Sequence, residues 1–164
     1  MQSNDKSLTV LGCSETKIRV GGYLPAICLY DGPVFRVLRS FLRDYRWPES
    51  LSVAVLSAKY GLIGGLSQIE TYDQRMTSER AKEIYQSATD TLIKWSKHHH
   101  RVEFVLGQDY IRSIDHDQIV NRYRQHRIIE GPIGMKLNWL HNKLRSAGAG
   151  LRTRGCELPT PDRA

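Results

Sequence analysis

Cysteine is scarce in this chain. Its 164 residues hold three, Cys13, Cys28 and Cys156. They are odd in number and form no C-x-x-C pair, which argues against a disulfide framework and a cysteine zinc site and predicts reduced thiols. Long apolar runs are missing too: no window approaches the roughly 18 residues of a membrane-spanning helix. The opening Met1-Gln2-Ser3-Asn4-Asp5-Lys6 lacks a signal-peptide core. The expectation is a cytoplasmic protein with no membrane partner. Acidic residues are few, 17 Asp and Glu against 24 Lys and Arg, for a net charge of +7. Such a balance attracts phosphate-rich partners, although many basic surfaces are merely solvated. Duplex nucleic acid would meet Lys136, Lys143, Arg145, Arg152 and Arg154, and a salt titration would expose that contact.

What is present describes one ordinary globular domain, with 40% hydrophobic and 25% charged residues. Leu8-Thr9-Val10-Leu11, Leu51 to Leu56 and Val102 to Leu106 are short, β-branched-rich runs bounded by polar or turn residues, and they read as strands. His126-Arg127-Ile128-Ile129 is a weaker fourth, stopped by Gly131-Pro132. Pro33 suits a first helical turn, and Phe35, Leu38, Leu42 and Tyr45 follow at helical spacing until Pro48. Thr77 or Ser78 can cap a second helix whose stripe is Ile84, Tyr85, Ala88, Leu92 and Trp95. A last helix, from about Met135 to Arg145, groups Leu137, Leu140 and Leu144. Alternation of strand and helix predicts an α/β fold with a mainly parallel central sheet flanked by helices, a single compact domain over residues 7–146. Residues 147–164 read as a mobile basic tail.

In such sheets ligands bind at the carboxyl ends of the strands, and here the polar segments follow the strands. Ser14 and Lys17 come first. A Ser-x-x-Lys spacing can activate a serine, Lys17 with Ser14 and nearby N–H groups can bind a phosphate or carboxylate, or Ser14 caps a turn beside a solvated lysine. After the second strand stand Ser57, Lys59 and Tyr60, with Gly61 permitting a tight bend. Tyr60 and Tyr72 can each stack on a base or pack in the core with a satisfied hydroxyl. Gly64-Gly65 is read as mobile and is neither a P-loop nor a dinucleotide fingerprint. Asp73 is a candidate general base and Arg75 a candidate anion binder, unless both simply brace the loop. Asp109, Tyr110 and Glu130 approach from the other strand ends, and Lys136 opens the last helix. Two carboxylates flanking a sugar would suit glycosidic-bond chemistry at the right separation, with Asp73, Asp109 and Lys17 as the catalytic candidates. His98-His99-His100 lies before a strand, away from those ends, and is read as a solvated connection. His116, His126 and His141 show no metal-ligand spacing. No metal or cofactor is expected.

Four segments together resemble the bacterial YaaA-like family, especially a compact branch of it. They are Gly12-Cys13-Ser14-Glu15-Thr16-Lys17, Leu29 to Arg36, Leu56 to Leu62 with Glu70-Thr71-Tyr72-Asp73, and Gly131 to Leu140. The resemblance spans roughly residues 8 to 144 and implies a YaaA-like α/β architecture, without the large insertions of the full-length proteins, including the region associated with DNA binding. Function has to come from the site, since one fold hosts many activities. The expected partner is a nucleobase, nucleotide or nucleic acid, held in a pocket at the strand carboxyl ends and processed at a base or glycosidic bond. The alternatives are non-catalytic DNA or RNA binding, a stress-response role, and small-molecule sensing.

Overall fold

The computed structural model describes residues 5–148. The basic tail expected from residue 147 therefore lies outside the described residues, apart from Ala147 and Gly148, which end the last helix. In chain order the elements are β1 Ser7–Gly12, β2 Leu24–Pro25, α1 Ala26–Leu29, α2 Pro33–Asp44, β3 Leu51–Ser57, β4 Gly61–Gly64, β5 Gln68–Ile69, α3 Ser78–Trp95, β6 Arg101–Val105, α4 Gln108–Ile111, α5 His116–Val120, β7 Gln125–Ile128 and α6 Ile133–Ala147.

The five-stranded sheet has the order β4-β3-β1-β6-β7. β1 is parallel to both β3 and β6, and β6 is parallel to β7, so the four strand runs read from the sequence share one direction. Their near-continuous apolar character follows from burial on both faces. On one face Leu11, Val55 and Val105 pack against Phe35, Leu38, Leu140 and Leu144 of α2 and α6. On the other, Val10, Leu56 and Phe104 pack against Ile84, Ala88 and Leu92 of α3 and Ile119 of α5. The result is a single α/β domain in which helices cover both sides of a mostly parallel sheet.

Two features depart from the sequence reading. The segment Gly61–Gly64 forms β4, antiparallel on β3, instead of continuing as loop. Ser57 makes the reversal: its hydroxyl accepts the N–H groups of Lys59 and Tyr60, and Gly61 follows at a φ of 72°. The expected mobility of Gly64-Gly65 is also corrected, because Gly65 is buried and donates its N–H to Val53 O at 2.8 Å. Helix α1, four buried residues, is too short to leave a periodic signal.

From β1 the chain moves through α2 to β3 on one side, then crosses through α3 to β6 on the other. The strand order therefore reverses between β1 and β6. At such a switch point the loops leaving the two strands diverge and open a crevice at their carboxyl ends.

Candidate functional site

That crevice is present, with a volume of about 260 Å³. Its floor is the end of β1 at Gly12 and Cys13 and the end of β6 at Val105 and Leu106. Three helices begin at its walls: α2 through Gly32 to Phe35, α4 through Gly107 and Tyr110, and α6 through Ile133 and Lys136. No Asp or Glu is among the lining residues.

A helix start leaves its first N–H groups without intrahelical partners, and a side-chain cap normally satisfies one of them. None of these three has one, their N-cap residues being Gly32, Gly107 and Pro132. In α2 the first intrahelical donor is Arg36, to Gly32 O, so Val34 and Phe35 precede any such bond. In α6 the first donors are Met135 and Lys136, both to Pro132 O, which leaves Ile133 and Gly134. In α4 they are Tyr110 and Ile111, to Gly107 O, which leaves Gln108 and Asp109. Neither α2 nor α6 has an acidic residue in its first turn. Of these open donors, those of Val34, Phe35 and Ile133 belong to residues that line the crevice, where the positive dipole ends of α2 and α6 also arrive, an arrangement suited to an anion.

The side chains of the crevice reinforce this polarity. Lys136 is half-buried and donates from Nζ to Leu106 O at 2.7 Å, which holds its ammonium at the end of β6. The Tyr110 hydroxyl donates to Cys13 O at 3.3 Å and lies 3.2 Å from Cys13 Sγ. Burial, and then the neighbouring Cys13, push the Tyr110 phenol well above its usual range, so it stays protonated as a donor. Ser14 is a bracket: its Oγ donates to Thr16 O at 2.5 Å and accepts Gly32 N–H at 3.1 Å. The bracket needs glycine at residue 32, where an added Cβ would stand 2.7 Å from Ser14 Cβ.

Beside the crevice lies a second polar group, at the end of β3. The Tyr30 hydroxyl donates to Ser57 Oγ at 3.1 Å, and both hydroxyls lie 2.8 Å from the Tyr72 hydroxyl. The three hydroxyls touch one another pairwise, so their three protons can close a ring in which each donates to the next, while Ser57 Oγ also accepts the N–H groups of Lys59 and Tyr60. Burial pushes the Tyr30 phenol up to about 12 and the Tyr72 phenol further in the same direction. Lys17 Nζ stands 4.3 Å and Lys59 Nζ 5.8 Å from the Tyr72 ring centroid. Tyr60 packs edge-on against Tyr72 at 5.5 Å.

The structure therefore sorts the residues picked from the sequence. Ser14, Tyr110 and Lys136 line the crevice, whereas Lys17, Ser57, Lys59, Tyr60 and Tyr72 form the lysine–tyrosine group. The remaining four are exposed and lie outside the crevice lining: Asp73 and Glu130, Arg75 paired with Glu15, and Asp109 at 3.8 Å from Arg112. Lys143, expected to face nucleic acid, instead reaches Glu103 Oε1 at 2.6 Å, where Glu103 is 9% exposed. Arg152 and Arg154 lie outside the described residues. In the histidine tract, read as a solvated connection, His98 is exposed, while His99 is partly buried and bonds Ser52 Oγ at 2.9 Å, which ties the α3–β6 connection to β3. Among the described residues no three His, Cys, Asp or Glu side chains group to hold a metal ion, and no helix is long and apolar enough to cross a membrane.

Sequence reasoning passed over Tyr30, Cys13, Gly32 and Gly107 as site residues. Gly32 had a usable signal, a glycine directly before a proline at the first position of a helix. Tyr30 had none, since a wholly buried tyrosine looks like any other core residue.

A family model described as a family of unknown function, DUF6884, matches residues 8–142. No curated protein matches the chain. The matched span runs from β1 into α6 and so contains every wall of the crevice.

Proposed function

We propose, from the premise that this chain belongs to the DUF6884 family, that it binds a phosphate-bearing ligand of the nucleotide class at the β1–β6 switch point. The observation that carries this reading is the arrival of two helix starts without side-chain caps, those of α2 and α6, at one crevice that also holds Lys136. The N–H groups of Val34, Phe35 and Ile133 are the phosphate donors, and Lys136 supplies the formal charge. A crevice of about 260 Å³ is small and open for a whole nucleotide, so the phosphate end is the part it grips. With donors and a thiol but no carboxylate along its walls, the crevice is equipped for recognition, and no bond-breaking step is assigned to it. A kinship with YaaA-like proteins belongs to the same proposal. Its support is that Cys13, Ser14, Gly32 and Lys136, from three of the four resembling segments, meet in the crevice, while the fourth supplies Ser57 and Tyr72 next door.

A second reading, non-catalytic binding of duplex nucleic acid, has the net charge of +7 in its favour. Engagement of Lys143 with Glu103 removes one of its expected contacts. Thermal-shift titrations with thymidine and thymidine 5′-monophosphate separate the readings, because a ligand of the native state raises the melting temperature by mass action. The monophosphate should stabilise the protein and thymidine should not, and Lys136→Ala should abolish the shift. Equal stabilisation by both compounds, or an undiminished shift in Lys136→Ala, would remove phosphate recognition by the crevice. If only a labelled duplex binds, with affinity falling steeply with salt, the second reading takes its place.

A further inference from the structure

Helices α2 and α6 both begin at the crevice, and their last turns line a second cavity that shares no residue with it. This cavity has a volume of about 280 Å³. Its floor is apolar: Phe41 and Leu144 are buried, and the Phe41 ring stacks on that of Tyr45 with 5.0 Å between centroids and 16° between planes. Its rim is polar and exposed, with Asp44 supplied by α2 and Arg145 by α6.

These two charges are opposite in sign and line one space, yet they do not pair. Neither takes part in any ion pair among the described residues. Asp44 is also the last residue of α2, at the negative end of the helix dipole, where a carboxylate is disfavoured and a cation is favoured. An ammonium group beside it answers both the formal charge and the dipole. Arg145 offers the reverse, a planar fork of donors that fits a carboxylate. A ligand with one charge satisfies one side of the cavity, whereas a ligand with both charges and an apolar remainder satisfies both sides and covers the aromatic floor. The volume lies just under the roughly 300–1,000 Å³ of sites for drug-sized ligands, so the ligand is small.

We propose that this cavity binds a free α-amino acid with an aromatic side chain. Its ammonium lies at Asp44, its carboxylate at Arg145 and its ring against the Phe41 and Tyr45 stack. The site stands apart from the phosphate reading of the crevice and does not depend on it.

Calorimetric titration of the full chain with L-phenylalanine, phenethylamine and 3-phenylpropionate tests it, because the two analogues each lack one of the charges. Phenylalanine should bind, and each analogue should bind about tenfold more weakly, the scale of one charge-assisted hydrogen bond. Asp44→Asn should weaken phenylalanine to a similar extent and leave 3-phenylpropionate unchanged. Arg145→Gln should weaken phenylalanine likewise and leave phenethylamine unchanged. Both positions are exposed, so neither variant threatens the fold. Lys136→Ala, in the crevice, should alter none of the three affinities. No binding of phenylalanine at millimolar concentration, an analogue that binds as tightly, or undiminished affinity for phenylalanine in either rim variant would each overturn the site. Loss of phenylalanine binding in Lys136→Ala would overturn it too, by moving the ligand to the crevice.

Discussion

Helices α3 and α5 begin very differently from α2, α4 and α6. Thr77 caps α3 by accepting the N–H of Arg80, and Asp115 caps α5 by accepting that of Gln118. Each also has an acidic residue in its first turn, Glu79 in α3 and Asp117 in α5. The starts of α2, α4 and α6 have Gly or Pro at the N-cap and no side-chain cap, and α2 and α6 also lack an acidic residue in the first turn, whereas α4 has Asp109 there. Glycine in place of a capping side chain costs only a few tenths of a kcal/mol, so the open starts of α2 and α4 cost the fold little. The difference shows that this chain can cap its helices, and that it leaves donors open where they share a space with Lys136.

The comparison can be sharpened within α6, whose Lys136 and Lys143 have opposite employments. Replacing Lys143 with Met strands the buried Glu103 carboxylate, and urea denaturation should show a loss of about 3 kcal/mol with phosphate affinity intact. Lys136→Met should reverse the pattern, with nearly unchanged stability and lost binding. Next in size is Gly32→Ala, whose methyl group collides with Ser14 and forces the β1 loop away from the start of α2. It should cost about 2 kcal/mol and weaken phosphate binding as well. Thr77→Ala, at a capped start remote from the crevice, should cost about 1 kcal/mol and leave binding untouched.

Gly107→Asp inverts the comparison by supplying a cap to an open start. The residue has ordinary backbone geometry, and its added Cβ would meet only Tyr110, at 3.8 Å. Stability should rise by about 0.5 kcal/mol while phosphate affinity falls, because the new carboxylate stands at the crevice wall and repels the phosphate. Unchanged affinity in a stabilised variant would place the phosphate away from α4.

The smallest effect comes from the covered side of the sheet. His116 Nδ1 and His126 Nε2 lie 3.0 Å apart beside Phe104, and burial holds both imidazoles below their ordinary range. The unfolded chain binds their protons more readily, so their contribution is complete above the unfolded value of about 6.5 and declines as pH falls through the depressed folded values. Urea midpoints should drop between about pH 7.5 and about pH 5.5. His116→Gln/His126→Gln should flatten that part of the profile.

Much of the architecture was legible in the sequence because buried parallel strands write their apolar character continuously, as in β1, β3 and β6. Pro33 and Thr77 marked the starts of α2 and α3 correctly. Strand β4 was hidden because two of its four residues are glycine, and α1 because four residues cannot show a period. The site was less legible for a different reason. Its signature is an absence, the missing caps of Gly32, Gly107 and Pro132, and an absent side chain catches no attention until three such starts are seen to meet. Charged residues drew notice instead, and Asp73 and Asp109 proved to be exposed beyond the crevice walls. For Tyr72 the sequence leaned slightly toward packing over stacking, and its place in the hydroxyl ring with Tyr30 and Ser57 depends on contacts across 42 and 15 residues.

The open helix starts can be observed one by one through their amide protons. In a nitrogen-edited NMR titration with thymidine 5′-monophosphate, the amides of Val34, Phe35 and Ile133 should shift downfield as they take up phosphate oxygens, while those of Arg80 and Gln118 at the capped starts should stay in place. Saturating shifts confined to other parts of the protein, or none at these three positions, would contradict phosphate binding at the β1–β6 switch point.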